Sequence, residues 1–306
     1  MPNESLCRNN TIAQYHQLVG LPKPQHPLIS VVRFEAMERT ASHKVKSLVN
    51  NFYSIALKRN FTGKLKYGQQ PYDFDEGIMV FIAPGQMLTI ESETNEPVNH
   101  SGWLLLVHPD LLWNTPLAKT IQQYEYFNYS VCEALFLSEK EETTITNLML
   151  TMEQEYQSNI DPFSQTILVS QLETLLAYAE RFYKRQFVTR KITNHQIVSR
   201  LEVLLKDYFN GDELLNRGLP TVGQLAEQLN LSPTYLSELL KAVTGQTTQQ
   251  HIHNKLIEKA KEKLSTTDLS VGEIAYCLGF EHPQSFSKLF KAKTMLSPVE
   301  FRQSFN

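Results

Sequence analysis

The sequence predicts an α+β chain in two parts, a strand-rich N-terminal half closed by helices and an all-helical C-terminal domain. Three observations carry this. Residues 28–107 hold short apolar runs rich in Val, Ile, Phe, Tyr and Trp, cut by Gly, Pro, Asn and Asp clusters, as the strands of a sandwich or small barrel require. Residues 138–186 change to apolar side chains at helical spacing. Between residues 222 and 291 one helix-pair pattern is written twice.

Taken in order, strands are expected at Ile29–Phe34, Phe52–Leu57, Ile78–Ile82, Met87–Ile90 and Trp103–Val107. Asn60-Phe61-Thr62-Gly63 and Ala83-Pro84-Gly85-Gln86 supply turns between them. A helix is predicted over 138–158, opened by a Ser138/Glu141 capping box and carrying Ile145, Leu148, Met149 and Met152 on one side. Asp161-Pro162, a cap followed by proline at the first helical position, opens another that runs to Gln186. Its apolar side (Ile167, Leu168, Leu172, Leu175, Leu176, Tyr178, Ala179) is wide enough to cover the strands or to pair with a second copy. Arg181, Lys184 and Arg185 suit its C-terminal end, where cations meet the negative pole of the helix. The stretch Phe187–Asn194 reads as a short polar linker, dividing residues 1–186 from a C-terminal domain at 195–306.

The chain of 306 residues is long enough for two domains with real cores, and its 42% hydrophobic content excludes wholesale disorder. Its net charge is −3, made of 16 Lys and Arg against 20 Asp and Glu (−4) in residues 1–190 and 13 against 12 (+1) in 191–306. Non-specific attraction of a polycation is therefore not how it binds a partner. Three scattered cysteines, Cys7, Cys132 and Cys277, fit neither a disulfide framework nor a site of paired zinc ligands. The N-terminus lacks a basic-then-apolar leader and no apolar run approaches the ~20 residues of a membrane span, so a cytoplasmic protein without a membrane partner is expected.

Catalytic signals are missing. There is no Gly-x-Ser-x-Gly elbow, phosphate-binding loop or dinucleotide glycine pattern. The N-terminal histidines, His16, His26, His43, His100 and His108, form no His-x-His pair, so neither a metal nor another cofactor is expected. Asp73, Asp75 and Glu76 cluster in a turn-like stretch and are read as facing water. Phe52, Tyr53, Trp103 and Trp113 are read as core rather than as ligand contacts.

The repeat is the most informative feature. Val222-Gly223-Gln224-Leu225-Ala226-Glu227-Gln228-Leu229 aligns with Val271-Gly272-Glu273-Ile274-Ala275-Tyr276-Cys277-Leu278 at an offset of 49. After the turn, Leu236-Ser237-Glu238-Leu239-Leu240-Lys241 aligns with Phe286-Ser287-Lys288-Leu289-Phe290-Lys291 at an offset of 50. Each unit is a short helix, a tight turn and a second helix, with Ala226 and Ala275 where two helices cross closely. Ser232-Pro233 starts a helix at once, and Gly279 permits a left-handed helix end.

With these residues in view, 195–306 resembles the DNA-binding domain of the AraC/XylS family of bacterial transcription regulators. The matching stretches are VGQLAEQLNLSPTYLSELLKAVTGQT and HNKLIEKAKEKLSTTDLSVGEIAYCLGFEHPQSFSKLFKAKTMLSPVEFR. The resemblance implies two helix-turn-helix subdomains joined by a long helix over 247–264. It also implies a cupin-like small β-barrel followed by helices in residues 1–186, serving as sensor or dimerisation domain. The implied partner is double-stranded DNA, read in two successive major grooves by the helices 233–243 and 283–293. A homodimer, a small-molecule effector and RNA polymerase are further partners of that reading.

On the first reader, burial of Leu236, Leu239 and Leu240 leaves Thr234, Tyr235, Ser237, Glu238 and Lys241 outward. On the second, burial of Phe286, Leu289 and Phe290 leaves Gln284, Ser285, Ser287, Lys288 and Lys291. Gln284 can pair with adenine and Lys288 can donate to guanine, whereas Lys241 and Lys291, later in their helices, suit phosphates. Three residues depart from the family pattern: Glu238 in place of a basic or neutral residue, Lys255 in place of Arg, and Met295 in place of Gly. Two alternatives stay open, an enzyme with an appended DNA-binding domain and a regulator that needs no ligand.

Overall fold

A computed structural model describes residues 6–37, 47–59, 77–89, 101–129, 133–211, 214 and 217–304. The chain divides into two units, Met1–Thr189 and Arg190–Asn306.

The N-terminal unit begins with strand β1 (Leu6–Asn9), helix α1 (Ile12–Leu18) and strand β2 (Ile29–Arg33). Strands β3 (Ser47–Asn50), β4 (Tyr53–Arg59), β5 (Gly77–Ile82), β6 (Met87–Thr89) and β7 (Ser101–Val107) follow. The short helix α2 (Leu117–Thr120) leads to strand β8 (Leu135–Leu137) and the long helices α3 (Glu139–Gln157) and α4 (Ser164–Thr189). All five strands expected from the sequence are present, although Ile90, Asn60–Gly63 and the carboxylates at 73, 75 and 76 lie outside the described residues.

Among the described residues the strands form two separate sheets instead of the expected closed barrel, a five-stranded sheet in the order β2-β7-β4-β5-β8 and a three-stranded sheet in the order β1-β3-β6. One face of the larger sheet, with Ala56, Ile78, Val80, Ile82, Leu104, Leu106 and Phe136, shares an apolar layer with Leu48 of β3 and with Ile12 and Tyr15 of α1. The opposite face buries Ile55, Leu57, Met79, Phe81, Trp103 and Leu105 as well. With both faces covered, β4, β5 and β7 lose polar alternation and read as near-continuous apolar runs.

The end of α4 explains why the larger sheet does not close at β8. The Gln186 carboxamide, itself 1% exposed, accepts from Phe136 N at 2.8 Å and donates to Ala134 O at 3.3 Å. Arg185 donates to Phe136 O at 2.7 Å and to Glu141 Oε2 at 2.6 Å. Side chains of a helix thus occupy the outer backbone groups of β8 that another strand would need. Helix α4 itself starts where Asp161 Oδ1 accepts from Phe163 N at 2.7 Å and Ser164 N at 3.0 Å. It runs past Gln186 because Phe187 is buried, so the expected linker is helical on both sides of Arg190.

The C-terminal unit is helical: α5 (Lys191–Asn210), α6 (Val222–Leu229), α7 (Pro233–Thr244), α8 (Thr248–Thr266), α9 (Val271–Cys277), α10 (Pro283–Thr294) and α11 (Pro298–Gln303). Helix α8, the expected long helix, buries Ile252, Leu256, Ile257, Ala260 and Leu264.

Candidate nucleic-acid interface

The repeat in the sequence becomes two equivalent helix pairs, α6–α7 and α9–α10. In the first pair Leu225, Ala226 and Leu229 are buried, and in the second Ile274, Ala275 and Leu278 are. The second helix of each pair fixes its inner side with bulk: Leu236, Leu239 and Leu240 on α7, Phe286 and Phe290 on α10. Phe280, Phe286, Phe290 and Phe301 form a chain of rings with centroids 5.5, 5.7 and 5.5 Å apart. Such locked inner sides leave the outer sides of α7 and α10 in fixed positions.

Both helices begin abruptly, with proline at the first position. Ser232 caps α7, its Oγ accepting from Tyr235 N at 3.2 Å. The corresponding residue of α10, His282, is exposed and makes no side-chain cap bond. Both helices end in a left-handed residue, Gly245 with φ 73° and Met295 with φ 66°.

The outer residues do not all lie as expected. On α10, Gln284, Ser285, Lys288 and Lys291 are exposed and Ser287 is half-buried. Leu289, expected inside, is only half-buried. On α7, Lys241 is exposed, and Thr234 and Glu238 are half-buried. Ser237 lies 3.1 Å from Thr248 Oγ1 and ties α7 to α8. Tyr235 corrects the sequence reading: it is 5% exposed and belongs to the inner side. A tyrosine beside the Leu236 seam turns its apolar ring inward, where its counterpart Ser285 has nothing to bury.

Charge separates α7 and α10 further. Segment 232–246 holds one acid and one base, Glu238 and Lys241, and 282–296 holds Lys288, Lys291 and Lys293 with no acid. Lys293, not among the residues expected outward, is exposed near the end of α10 although it falls at helical spacing from the buried Phe286 and Phe290. On α8, Lys255 pairs with Glu258 and Lys259 with Glu262, each at 2.9 Å, so these cations face local acids. The carboxylates of Glu273 and Glu300 cap α9 and α11, and hydrogen bonds from Ser270 and Ser297 hold both below the usual carboxylate range.

The described residues of the N-terminal unit assemble no comparable set. Phe52 lies in the layer between the sheets, and Tyr53 packs edge-on against Phe127 with ring centroids 5.1 Å apart. Trp103 is buried under the Arg33 guanidinium, 4.3 Å from its ring, whereas Trp113, expected in the core, is 70% exposed. Among the described residues no three His, Cys, Asp or Glu side chains come together, and no helix is long and apolar enough to cross a membrane.

Comparison with known proteins bears on the helix pairs directly. A family model described as a helix-turn-helix domain matches residues 225–304. The uncharacterised HTH-type transcriptional regulator YfiF of Bacillus subtilis is 25% identical over 262 residues, spanning 84% of this chain and 78% of its own. The HTH-type transcriptional activator RhaS of Escherichia coli is 28% identical over 268 residues, spanning 83% of this chain and 86% of its own. The chain is an AraC/XylS-type transcription regulator. A solved structure, the C-terminal domain of AraT from Geobacillus stearothermophilus, covers 35% of this chain and 84% of its own at 31% identity, with a TM-score of 0.31. As an AraC/XylS-type regulator, the chain takes double-stranded DNA as its partner and works by binding rather than by catalysis.

Proposed function

We propose that this regulator is built as two helix-turn-helix subdomains joined by α8, and that it reads two successive major grooves on one face of the duplex, α7 in one and α10 in the next. The observation that carries this is the pair of equivalent helices, each fixed on its inner side and open on its outer side. Gln284 and Lys288 approach base edges, with Ser285 and Ser287 beside them. Lys241, Lys291 and Lys293 meet phosphates, and Thr234 and Glu238 complete the first reader, where Glu238 favours a cytosine amino group. Ser237 serves through its bond to Thr248, and Tyr235 is withdrawn from the contact set.

The N-terminal unit supplies control, by pairing two copies or by holding a small effector. Pairing through α4 would use its outer side, where Ser170, Thr174, Ala177 and Arg181 form an exposed row. Leu172 and Leu176, 1% and 0% exposed, belong to the unit's own core and not to that row. Activation through RNA polymerase is proposed in the direction that the RhaS relative's name gives for that protein.

Selection of duplexes from a random pool by the full chain tests the reading. The expected product is a composite site of two short elements, one helical turn of about 10 base pairs apart from centre to centre. Two copies of the composite site in one duplex mark a paired regulator. A single short element, or no enrichment at low salt, overturns the two-groove reading.

A further inference from the structure

Within the C-terminal unit, the turn of the second helix pair presses on the segment that leads into the first. Gly279 follows α9 with φ +77°, and Gly218 precedes α6 with φ +71°. A Cβ on Gly279 would lie 3.0 Å from the Cα of Gly218 and 3.0 Å from the carbonyl oxygen of Leu214. Such an approach is tighter than ordinary packing, so a side chain at residue 279 would require the facing backbone to give by a few tenths of an ångström. The other side of the contact is anchored too. Tyr208 on α5 donates its hydroxyl to Gly218 O at 2.9 Å, and Gly218 N donates to Leu214 O at 3.1 Å.

Backbone conformation alone does not demand glycine at 279. The first helix pair makes the same left-handed turn with Asn230, at φ 57° and 49 residues earlier. Asparagine tolerates that region because its short polar side chain bonds locally. What sets residue 279 apart from residue 230 is the chain lying against it.

The geometry points to the Gly218–Gly279 contact as the joint that sets the distance between the two readers, and so the spacing of the DNA elements they accept. This inference rests on the two-groove reading above. The connecting helix holds each pair by its own contacts, Ser237 to Thr248 on one side and Arg302 to Leu264 O on the other. The backbone contact between the approach to α6 and the end of α9 joins the two pairs directly and narrows the motion those contacts leave. Two elements held at one distance act on DNA as a single rigid ligand with a high effective concentration of the second element.

The test uses the full chain and the composite duplex it selects, with and without one base pair inserted between the two elements. Gly279→Asn keeps the left-handed turn, as Asn230 does, and pushes the facing backbone back by a few tenths of an ångström, loosening the contact. Wild type is expected to lose about thirtyfold in affinity on the insertion, whereas Gly279→Asn binds the original spacing about tenfold more weakly and loses less than about threefold on the insertion. Gly279→Asn with the wild-type dependence on spacing removes the joint and leaves the two-groove reading intact. A wild-type chain indifferent to spacing removes that reading and the joint with it. If Gly279→Asn does not fold, Tyr208→Phe decides, since it deletes the anchoring hydroxyl without adding bulk. A flatter spacing profile in that variant upholds the joint, and an unchanged one overturns it.

Discussion

Lys288 and Lys291 stand three residues apart on the exposed side of α10, and the proposed reading gives them different work. Lys288 lies nearer the N-terminal turns, which in that reading enter the groove. Lys288→Ala should cost about 1–3 kcal/mol on the selected site and much less on random DNA. Lys291→Ala should weaken both by a similar factor and lower the slope of log affinity against log salt by about 1. Titrations of both duplexes at several salt concentrations separate the two, and an equal loss for Lys288→Ala would make it a phosphate contact. At this scale the sequence told the outer side of each helix from the inner: of the ten residues expected outward, Lys241, Gln284, Ser285, Lys288 and Lys291 are exposed, Thr234, Ser237, Glu238 and Ser287 are half-buried, and Tyr235 is buried. Tyr235 was misread because alignment of the repeats transfers position and says nothing about a ring large enough to widen the buried seam. The role of Ser237 was hidden because Thr248, its partner, is 11 residues away on another helix.

Elements were legible in proportion to their length and local signals. The capping box at Ser138 and Glu141, the cap at Asp161 and the prolines at 233 and 283 all act within one helical turn, and the helices they announce are present. The strands β1, β3 and β8, of 4, 4 and 3 residues, were not read. Their pairing is non-local, β1 running parallel to β3 some 40 residues on, and a short polar strand such as Leu6–Asn9 carries no periodicity of its own. Sandwich against barrel was undecidable for the same reason, since closure depends on which groups reach the outer edge of β8. Met295 gives the test at this scale. It holds the left-handed position that Gly245 holds 50 residues earlier, and it is 81% exposed, so it gains little from burial. Met295→Gly should raise the stability of the unit by about 1 kcal/mol, read from its urea midpoint, because a Cβ in that region is strained.

At the scale of the whole molecule, both units carry histidines held below the usual range. Burial lowers His26 in the N-terminal unit. In the C-terminal unit burial lowers His251, with Glu202 acting the other way, and lowers His253, reinforced by Lys293. The unfolded chain takes up protons near pH 6.5, where these folded residues still resist them, so stability present above that pH is lost as pH falls through and below it. Urea midpoints at about pH 7.5 and about pH 5.5 should therefore show a loss in wild type that is smaller in a His251→Gln, His253→Gln double variant. Equal losses would place the acid sensitivity elsewhere.

The bonds from Gln186 to Phe136 and Ala134 also bear on how the protein can be cut. A fragment that stops short of residue 185 keeps the five-stranded sheet and bares the outer rim of Leu135–Leu137, with its amide and carbonyl groups pointing into water. Such a rim is a template for strand-to-strand stacking between molecules. Fragments of the N-terminal half ending before Arg185 should precipitate or form fibrils, whereas those extending through Thr189 should stay dispersed, because the last turns of α4 act as a built-in guard against self-templating.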